Sequence, residues 1–486
     1  MSDPVRTLAP QILWNHFADL NAIPRPSKKE SRAVQFIKTF GENLQLKTSV
    51  DETGNVIIKK PASKGMEDRA SIVLQGHLDM VHQKNADTNF DFSSQGIDMF
   101  AEGDWVKARG TTLGADNGIG VAAIMAIMAS TDIPHPALEA LFTVDEETGM
   151  TGALALKPGS LEGRILLNLD TEEDNELTIG CAGGIDVTAT GNYKQEVPKD
   201  KTAFRIVIKG LTGGHSGVDI HKGRGNANKL MNRVLLELSN DLHIQIASID
   251  GGSLRNAIPR ESIADIVVPT LHTDEIIKRI GAFNIIVKNE YHFTDPGLLV
   301  SSNVIETPAH VLDPAFQYKF LRGVYSCPNG IYRMSPDIAG LVQSSNNIAR
   351  VLVKDGSWSV QCLTRSSVDS EKADLARSIA CTFELVGVTP SYSGEYPGWA
   401  PRPDSPIVKL MSELYKELYH SPAHVDAIHA GLECGILGSH YPDMQMISFG
   451  PNIYGAHSPD EKVQVSSVQK FWAFFQETLK RIPSKK

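Results

Sequence analysis

Imidazole and carboxylate side chains occur at separate places in the chain where they could together bind two metal ions. The five candidates are His77, Asp116, Glu147, Asp170 and His457. Three of them follow short apolar runs, at residues 71–75, 138–144 and 164–169. Such runs predict buried strands of a parallel sheet, and open α/β sheets build their sites at the carboxyl ends of these strands. Position as well as residue type therefore predicts a metal site.

His77 is followed two positions later by Asp79. A carboxylate that holds the second ring nitrogen of a metal-binding histidine fixes its tautomer and raises its basicity. A single His-x-Asp pair is also common on protein surfaces, so this motif does not decide the question by itself.

Asp116 lies in the glycine-flanked segment 114–118, directly before the apolar segment 119–129, which predicts a buried helix. Asp116 could cap that helix, or its carboxylate could bridge two cations. A bridging carboxylate must present both oxygens at a fixed angle. For that role we expect a cis peptide bond between Asp116 and Asn117.

Glu146 and Glu147 are adjacent acids at the end of a predicted buried strand, where they repel each other unless a positive charge is near. If Glu147 binds metal, Glu146 is free to take a proton from the attacking water. The alternative is a solvated turn before Gly149. The acidic loop 172–176, after Asp170, is predicted to be solvated surface.

The donor set contains histidine and carboxylate but no cysteine. Such a set suits catalytic Zn²⁺, with Mn²⁺ or Co²⁺ as substitutes. The chain has no H-E-x-x-H, P-loop or G-x-G-x-x-G motif, and the segment 213–217 lacks the spacing of a nucleophile elbow.

Composition excludes several classes of partner. With 486 residues the chain is too long for one domain, and 47 basic against 57 acidic residues give a net charge of −10. No basic run suggests binding to nucleic acid or an anionic membrane, and the longest apolar segment is about half a membrane span. Residues Met1–Arg6 lack a signal peptide core, and five cysteines without C-x-x-C suit a reducing cytosol. We expect a soluble cytoplasmic enzyme.

The pattern of strands and helices changes twice along the chain. It alternates as in an α/β domain up to Cys181. Half-exposed strands at 204–208, 262–268 and 357–363 and helices at 226–240 and 273–289 then indicate an α+β insert. A further strand at 444–449 precedes His457. The sequence predicts a catalytic domain made of residues 1–185 and 396–486, interrupted by a second domain at 186–395.

Eight segments together resemble the aminoacylase and carboxypeptidase G-like metallopeptidases, a family that uses two zinc ions. They are 75–81, 108–118, 180–186, 210–217, 225–229, 255–261, 428–435 and 457–461. The one departure is Asp145, where a neutral residue is expected. The resemblance implies an α/β catalytic domain with a mixed central sheet flanked by helices, and an α+β lid. The length of the insert predicts two lobes in that lid.

The resemblance also implies roles for the predicted ligands. One zinc is held by His77, Asp116 and Asp170, and the other by Asp116, Glu147 and His457. Asp79 orients His77, and Glu146 is the general base for attack by a hydroxide held at the metals.

Three further residues are expected in the lid. By resemblance, His215 polarises the scissile carbonyl, while Asn256 and Arg365 contact the substrate carbonyl and C-terminal carboxylate. For His215 and Asn256 the alternative is a structural role in a turn, and for Arg365 a surface ion pair. Hinges are expected at 183–184 and 397–398, with His215 distant from the metals until the lid closes. A homodimer, in which His215 acts across the subunit interface, is the alternative to action within one chain.

The implied activity is hydrolysis of dipeptides with a free amino terminus, favouring Xaa-His dipeptides such as carnosine. An N-acyl amino acid deacylase or a tripeptidase of the same family is the alternative. A non-catalytic peptide-binding protein would have lost the base or a bridging ligand, and a structural metal site would not need an unliganded Glu146. The expected partners are small peptides, with no nucleic acid and no membrane.

Overall fold

The computed structural model describes residues 4–485; residues 1–3, which begin the segment Met1–Arg6, and residue 486 lie outside it. The α-helices of the described chain are α1 Gln11–Asn21, α2 Ser31–Asn43, α3 Ala115–Ala129, α4 Glu146–Gly149, α5 Thr151–Ala155, α6 Ala227–Leu242, α7 Thr273–Glu290, α8 Pro314–Ser326, α9 Asp369–Glu384, α10 Pro406–Tyr419, α11 Glu433–His440 and α12 Val465–Arg481. Within the described residues no helix combines the length and apolar character needed to cross a membrane.

The strands follow the same chain order. They are β1 Lys47–Val50, β2 Val56–Lys60, β3 Ile72–His77, β4 Met99–Glu102, β5 Trp105–Ala108, β6 Leu138–Thr143, β7 Ile165–Asn168, β8 Glu176–Cys181, β9 Gly183–Asn192, β10 Gln195–Glu196, β11 Lys201–Lys209, β12 Gly214–His215, β13 Gln245–Gly251, β14 Ala257–Ile258, β15 Ser262–Pro269, β16 Leu299–Ile305, β17 Val311–Leu312, β18 Gly330–Met334, β19 Val342–Lys354, β20 Ser357–Ser366, β21 Ser391–Tyr396, β22 His424–Ile428, β23 Gln445–Ser448, β24 Ile453–Tyr454 and β25 Lys462–Gln464.

The chain divides into two compact units. Unit 1 comprises residues 1–180, 399–427 and 432–486, and unit 2 comprises residues 181–398 and 428–431. The short segment 428–431 was not predicted to leave the catalytic part of the chain. It belongs to unit 2 because the backbone N–H of Ala182 donates to the carbonyl oxygens of Ile428 and Ala430, at 3.1 and 2.9 Å.

Unit 1 is built on a mixed eight-stranded sheet in the order β1-β2-β6-β3-β7-β23-β8-β22. Its centre is parallel, since β3 pairs in parallel with β6 and β7, and β7 with β23. These central strands are buried along their length, apart from Gln445 at the start of β23, as expected for apolar, β-branched runs covered on both faces. The carboxyl ends of β3, β6 and β7 therefore meet at one edge of the sheet.

Unit 2 is built on a nine-stranded sheet, in the order β16-β11-β15-β13-β19-β20-β9-β21 with β18 added to β19, and it also contains the two-stranded sheets β10-β17 and β12-β14. This corrects the prediction of two separate lobes. Strand β13, from the first half of the insert, pairs antiparallel with β19 from the second half, with Ile249 opposite Val353. Backbone hydrogen bonds thus join both halves into a single sheet, and helices from both halves share one apolar core.

Candidate metal centre

Asp116 lies between two histidines, and each of its carboxylate oxygens faces one of them. Oδ1 is 3.2 Å from Nε2 of His77, and Oδ2 is 3.1 Å from Nε2 of His457. The peptide bond between Asp116 and Asn117 is cis, as predicted from the sequence. Asp116 and Asn117 have non-helical backbone angles at the start of α3, and the two carboxylate oxygens of Asp116 face histidines, as expected for the bridging role.

The other predicted ligands complete two sets of three donors that share Asp116. Oδ1 of Asp170 is 3.4 Å from Nε2 of His77, and Oε2 of Glu147 is 3.0 Å from Nε2 of His457. Within each set, one donor atom from every residue lies within 4.8 Å of the others. The fold thus brings together five residues that are spread over most of the sequence.

The donor chemistry fits two divalent cations. Oε1 of Glu147 is buried and accepts no hydrogen bond from any residue in the described part of the chain, and the buried Oδ1 of Asp170 lies 3.4 Å from Nε2 of His77 without a hydrogen bond. Buried carboxylate oxygens in that condition are costly unless a cation is near. Mixed imidazole and carboxylate donors are typical of catalytic zinc and of the divalent ions that replace it.

The two histidines are strongly basic in this acidic surrounding. Burial lowers the pKa of His77, but the charge of Asp170 and a hydrogen bond with Asp116 outweigh it, and the net pKa is well above the usual range. Hydrogen bonds with Asp116 and Glu147 raise the pKa of His457 to about 11. A histidine binds metal only as neutral imidazole, so metal binding here must release protons.

Glu146 follows β6 and begins α4. Burial raises the pKa of its carboxyl well above the usual range; the charge of His77 lowers the pKa, and that of Asp170 raises it. A carboxyl with a raised pKa is suited to accept and return a proton. Glu146 also forms a group of potential donors with His77 and Glu147. Geometry alone therefore permits both a ligand role and a base role.

Asp79 contacts His77 and the backbone of Glu146 and Glu147. Its side chain and that of His77 are buried, which rules out the alternative of a surface His-x-Asp pair. Oδ1 of Asp79 is 3.4 Å from Nδ1 of His77. Its two oxygens also accept the backbone N–H groups of Glu146 and Glu147, at 2.9 and 3.2 Å. This second contact was not predicted from the sequence.

The acidic loop after Asp170 is only partly solvated. Glu173 and Asn175 are exposed, as predicted, whereas Glu172, Asp174 and Glu176 are half-buried. Burial and the charges of Asp116 and Asp170 raise the pKa of Glu172 to about 8. The prediction of a solvated surface is wrong for this residue, because its carboxyl remains beside the acidic centre.

Three more buried charged residues surround the centre without having been assigned a role from the sequence. Arg25 donates to the carbonyl oxygens of Leu78 and Asp79, both at 3.1 Å. Glu433 accepts hydrogen bonds from Gln75 and Thr143. The third, Glu461, accepts the backbone N–H groups of residues 113–116. The sequence around Arg25 contains no pattern that indicates a role near the metals. Glu433 and Glu461, by contrast, lie inside segments that carried the family resemblance.

A further group of buried carboxylates consists of Glu30, Asp79 and Asp145. Asp145 accepts hydrogen bonds from the hydroxyls of Thr148 and Thr151. Glu30 accepts one from the backbone N–H of Lys28, at 2.7 Å. Asp145 is the one departure from the family pattern. Its two hydrogen bonds show that it stabilises the turn that carries Glu146.

In unit 2, His215 has a defined tautomer. Its Nδ1 accepts the backbone N–H groups of Gly217 and Val218, at 3.2 and 3.1 Å. A nitrogen that accepts hydrogen bonds carries no proton, so the ring proton is on Nε2. Asn256 lies on the neighbouring hairpin, where its carbonyl accepts the N–H of Ser216 at 2.7 Å.

Arg365 is buried in unit 2 and donates from Nη1 to the hydroxyl of Tyr396, at 2.8 Å. This position excludes the alternative of a surface ion pair. Arg365 pairs across the sheet with Ser345, whose hydroxyl is 2.7 Å from Nε2 of His429. His429 is buried. Its burial, and to a smaller extent the charge of Arg365, lower its pKa to about 3.

The sequence pattern of Peptidase family M20/M25/M40 matches residues 73–481. The chain belongs to this family. Among curated members, cytosol non-specific dipeptidase of Escherichia coli (strain K12) is 41% identical over 479 residues, which cover 98% of this chain and 99% of that protein. The predicted membership of a metallopeptidase family is therefore confirmed.

Solved structures agree with this family assignment. Aminoacylhistidine dipeptidase from Vibrio alginolyticus matches with a TM-score of 0.92 and 42% identity, covering 100% of this chain and 99% of that one. Aminopeptidase PepT from Bacillus cereus matches with a TM-score of 0.55 and 15% identity, over 98% and 99% of the two chains, which shows a shared fold. The predicted fold class, a catalytic domain with a mixed central sheet flanked by helices, is confirmed.

Proposed function

We propose that the protein is a dinuclear zinc dipeptidase of the cytosol that hydrolyses dipeptides with a free amino terminus, including Xaa-His dipeptides such as carnosine. The observation that carries this proposal is the position of Asp116, which belongs to both donor sets and whose Oδ1 faces His77 while its Oδ2 faces His457. The names of two relatives above 40% identity, a cytosol non-specific dipeptidase and an aminoacylhistidine dipeptidase, support it.

His77, Asp116 and Asp170 would hold one cation, and Asp116, Glu147 and His457 the other. When bound, two such cations supply Lewis acidity toward the scissile carbonyl and lower the pKa of the attacking water. Glu146 takes the proton of that water and returns it to the leaving amine. Asp79 keeps His77 in the tautomer that binds through Nε2.

Residues of unit 2 would bind the substrate. With its proton on Nε2, neutral His215 can donate to the scissile carbonyl oxygen and stabilise the charge that develops there. Asn256, on the adjacent hairpin, would contact the same carbonyl. Arg365 has four further N–H groups beyond the one used with Tyr396, and a guanidinium suits a C-terminal carboxylate.

The experiment is an assay of histidine release from carnosine by the purified protein. Treatment with a chelator should abolish release, and two equivalents of Zn²⁺ per chain should restore it, with Mn²⁺ and Co²⁺ as comparisons. A metal-free protein that retains full activity would contradict the proposal.

A second assay separates the alternatives within the family. Carnosine, an N-acetylated histidine and a tripeptide ending in histidine are compared at equal concentration. A dipeptidase should release histidine fastest from the dipeptide. Faster cleavage of the acetylated compound would indicate a deacylase, and faster cleavage of the tripeptide a tripeptidase.

A further inference from the structure

The carboxylate of Glu461 accepts four backbone N–H groups from one turn. Oε2 accepts those of Leu113 and Gly114, at 2.6 and 2.9 Å. Oε1 accepts those of Ala115 and Asp116, at 2.7 and 3.2 Å. The side chain of Glu461 is 2% exposed, so these four contacts are made away from water. Hydrogen bonds from backbone N–H groups to a carboxylate are among the stronger ones in proteins.

The turn that Glu461 binds is the one that carries Asp116. On another side of this turn, Nη2 of Arg25 donates to the carbonyl oxygen of Gly114, at 2.6 Å. Gly114 has a φ of 70°, a left-handed conformation that favours glycine. The peptides before Asp116 are thus held by a carboxylate and a guanidinium, and this fixes the direction in which the Asp116 side chain leaves the backbone.

Glu461 also ends the loop that carries His457. Within that loop, the N–H of Ser458 donates to the carbonyl of Gly455, and the N–H of Glu461 donates to the carbonyl of Ser458, at 3.2 and 3.1 Å. Immediately after Glu461, strand β25 pairs antiparallel with β5, with Lys462 opposite Lys107. One side chain therefore connects the loop of His457 to the turn of Asp116.

We propose that Glu461 is a positioning residue that sets the placement of Asp116 relative to His457. Resting on the proposed function, this makes Glu461 a determinant of affinity for the cation that those two residues would share. The four donors require an acceptor with two oxygens. A glutamine side chain has one carbonyl oxygen and one NH₂ group, and its NH₂ group would face two backbone N–H groups. The turn would then have to move, although the change adds no volume.

The test compares E461Q with D460N, a matched control that removes the same charge from the neighbouring exposed residue. Each protein is stripped with a chelator and titrated with Co²⁺, while the visible absorption of the bound cobalt is recorded. For E461Q we expect affinity for one of the two cobalt ions to fall ~10–100-fold, the usual cost of losing a residue that orients a ligand. We also expect an altered cobalt spectrum. D460N should match the wild type.

Two results would overturn the proposal. One is an E461Q protein that binds both cobalt ions with wild-type affinity and spectrum, even if it unfolds more easily. The other comes from hydrogen exchange on the metal-free wild type, which is informative even if E461Q does not fold. The amides of residues 113–116 should exchange slowly, and fast exchange would show that Glu461 does not hold them. A wild type that binds no cobalt would instead contradict the proposed function.

Discussion

One oxygen of Asp79 contacts both His77, at the end of β3, and Glu146, three residues after the end of the neighbouring strand β6. Oδ1 accepts the backbone N–H of Glu146 at 2.9 Å and lies 3.4 Å from Nδ1 of His77. The proposed metal ligand and the proposed general base are thus positioned by the same buried carboxylate. A change at Asp79 should affect both together.

We expect D79N to lower metal affinity and kcat/KM by ~10–100-fold, since an amide cannot accept at both positions and removes the charge beside His77. D87N, at an exposed position, is the control. Metal affinity is measured by competition with a chromogenic chelator. Unchanged affinity and activity in D79N would show that His77 needs no carboxylate partner.

We expect E146Q to keep both metals and to lose ~10²–10⁴-fold in kcat, because general-base catalysis contributes about that factor. The control is E173Q, in the exposed part of the acidic loop. Metal content is measured by elemental analysis and kcat by histidine release. Loss of one metal from E146Q would instead identify Glu146 as a ligand, the other role that the geometry permits.

We expect H215A to keep its metals and to lower kcat more than it raises KM, because the Nε2–H contact would form mainly in the transition state. H221A is the control, since His221 is an exposed histidine of the same segment.

Mixing H215A with E146Q tests whether His215 acts within its own chain. Action across a dimer interface would rebuild one complete site in the mixed dimer and restore part of the activity. Absence of restoration would indicate that His215 acts within its own chain.

His429 predicts a dependence of stability on pH. Its folded pKa of about 3 lies below its usual value of about 6.5, so the unfolded chain takes up the proton first as the pH falls. The stabilising contribution is full above pH 6.5 and declines below it, by at most ~1.4 kcal/mol per pH unit. Urea unfolding of metal-free protein at pH 7.5 and 5.5 measures this decline. H429Q should show a smaller decline than the wild type, and an equal decline would exclude His429 as its source.

Local patterns in the sequence were sufficient for most elements of the fold. The predicted helices at 226–240 and 273–289 correspond to α6 and α7, and the predicted strand at 262–268 to β15. Each signal is contained within its own segment, as an apolar periodicity of helix or strand. The convergence of His77, Glu147 and Asp170 was predictable for a related reason, because each lies at or just after the carboxyl end of a strand in the parallel centre of one sheet.

Pairing between distant segments decided what local patterns could not. The pairing of β13 with β19 made one sheet where two lobes were predicted, because strand partners are chosen by backbone hydrogen bonds and packing across the whole unit. The carboxylate of Glu461 and the guanidinium of Arg25 reached the turn of Asp116 from opposite ends of the chain.

The sequence by itself determined which residues could bind metal and in which elements they lie, because donor type and strand-end position are local properties. Only the tertiary structure decided which buried charges hold those donors in place. A buried charge must be matched by partners wherever the fold puts them, and for Glu461 those partners lie more than 340 positions earlier in the chain.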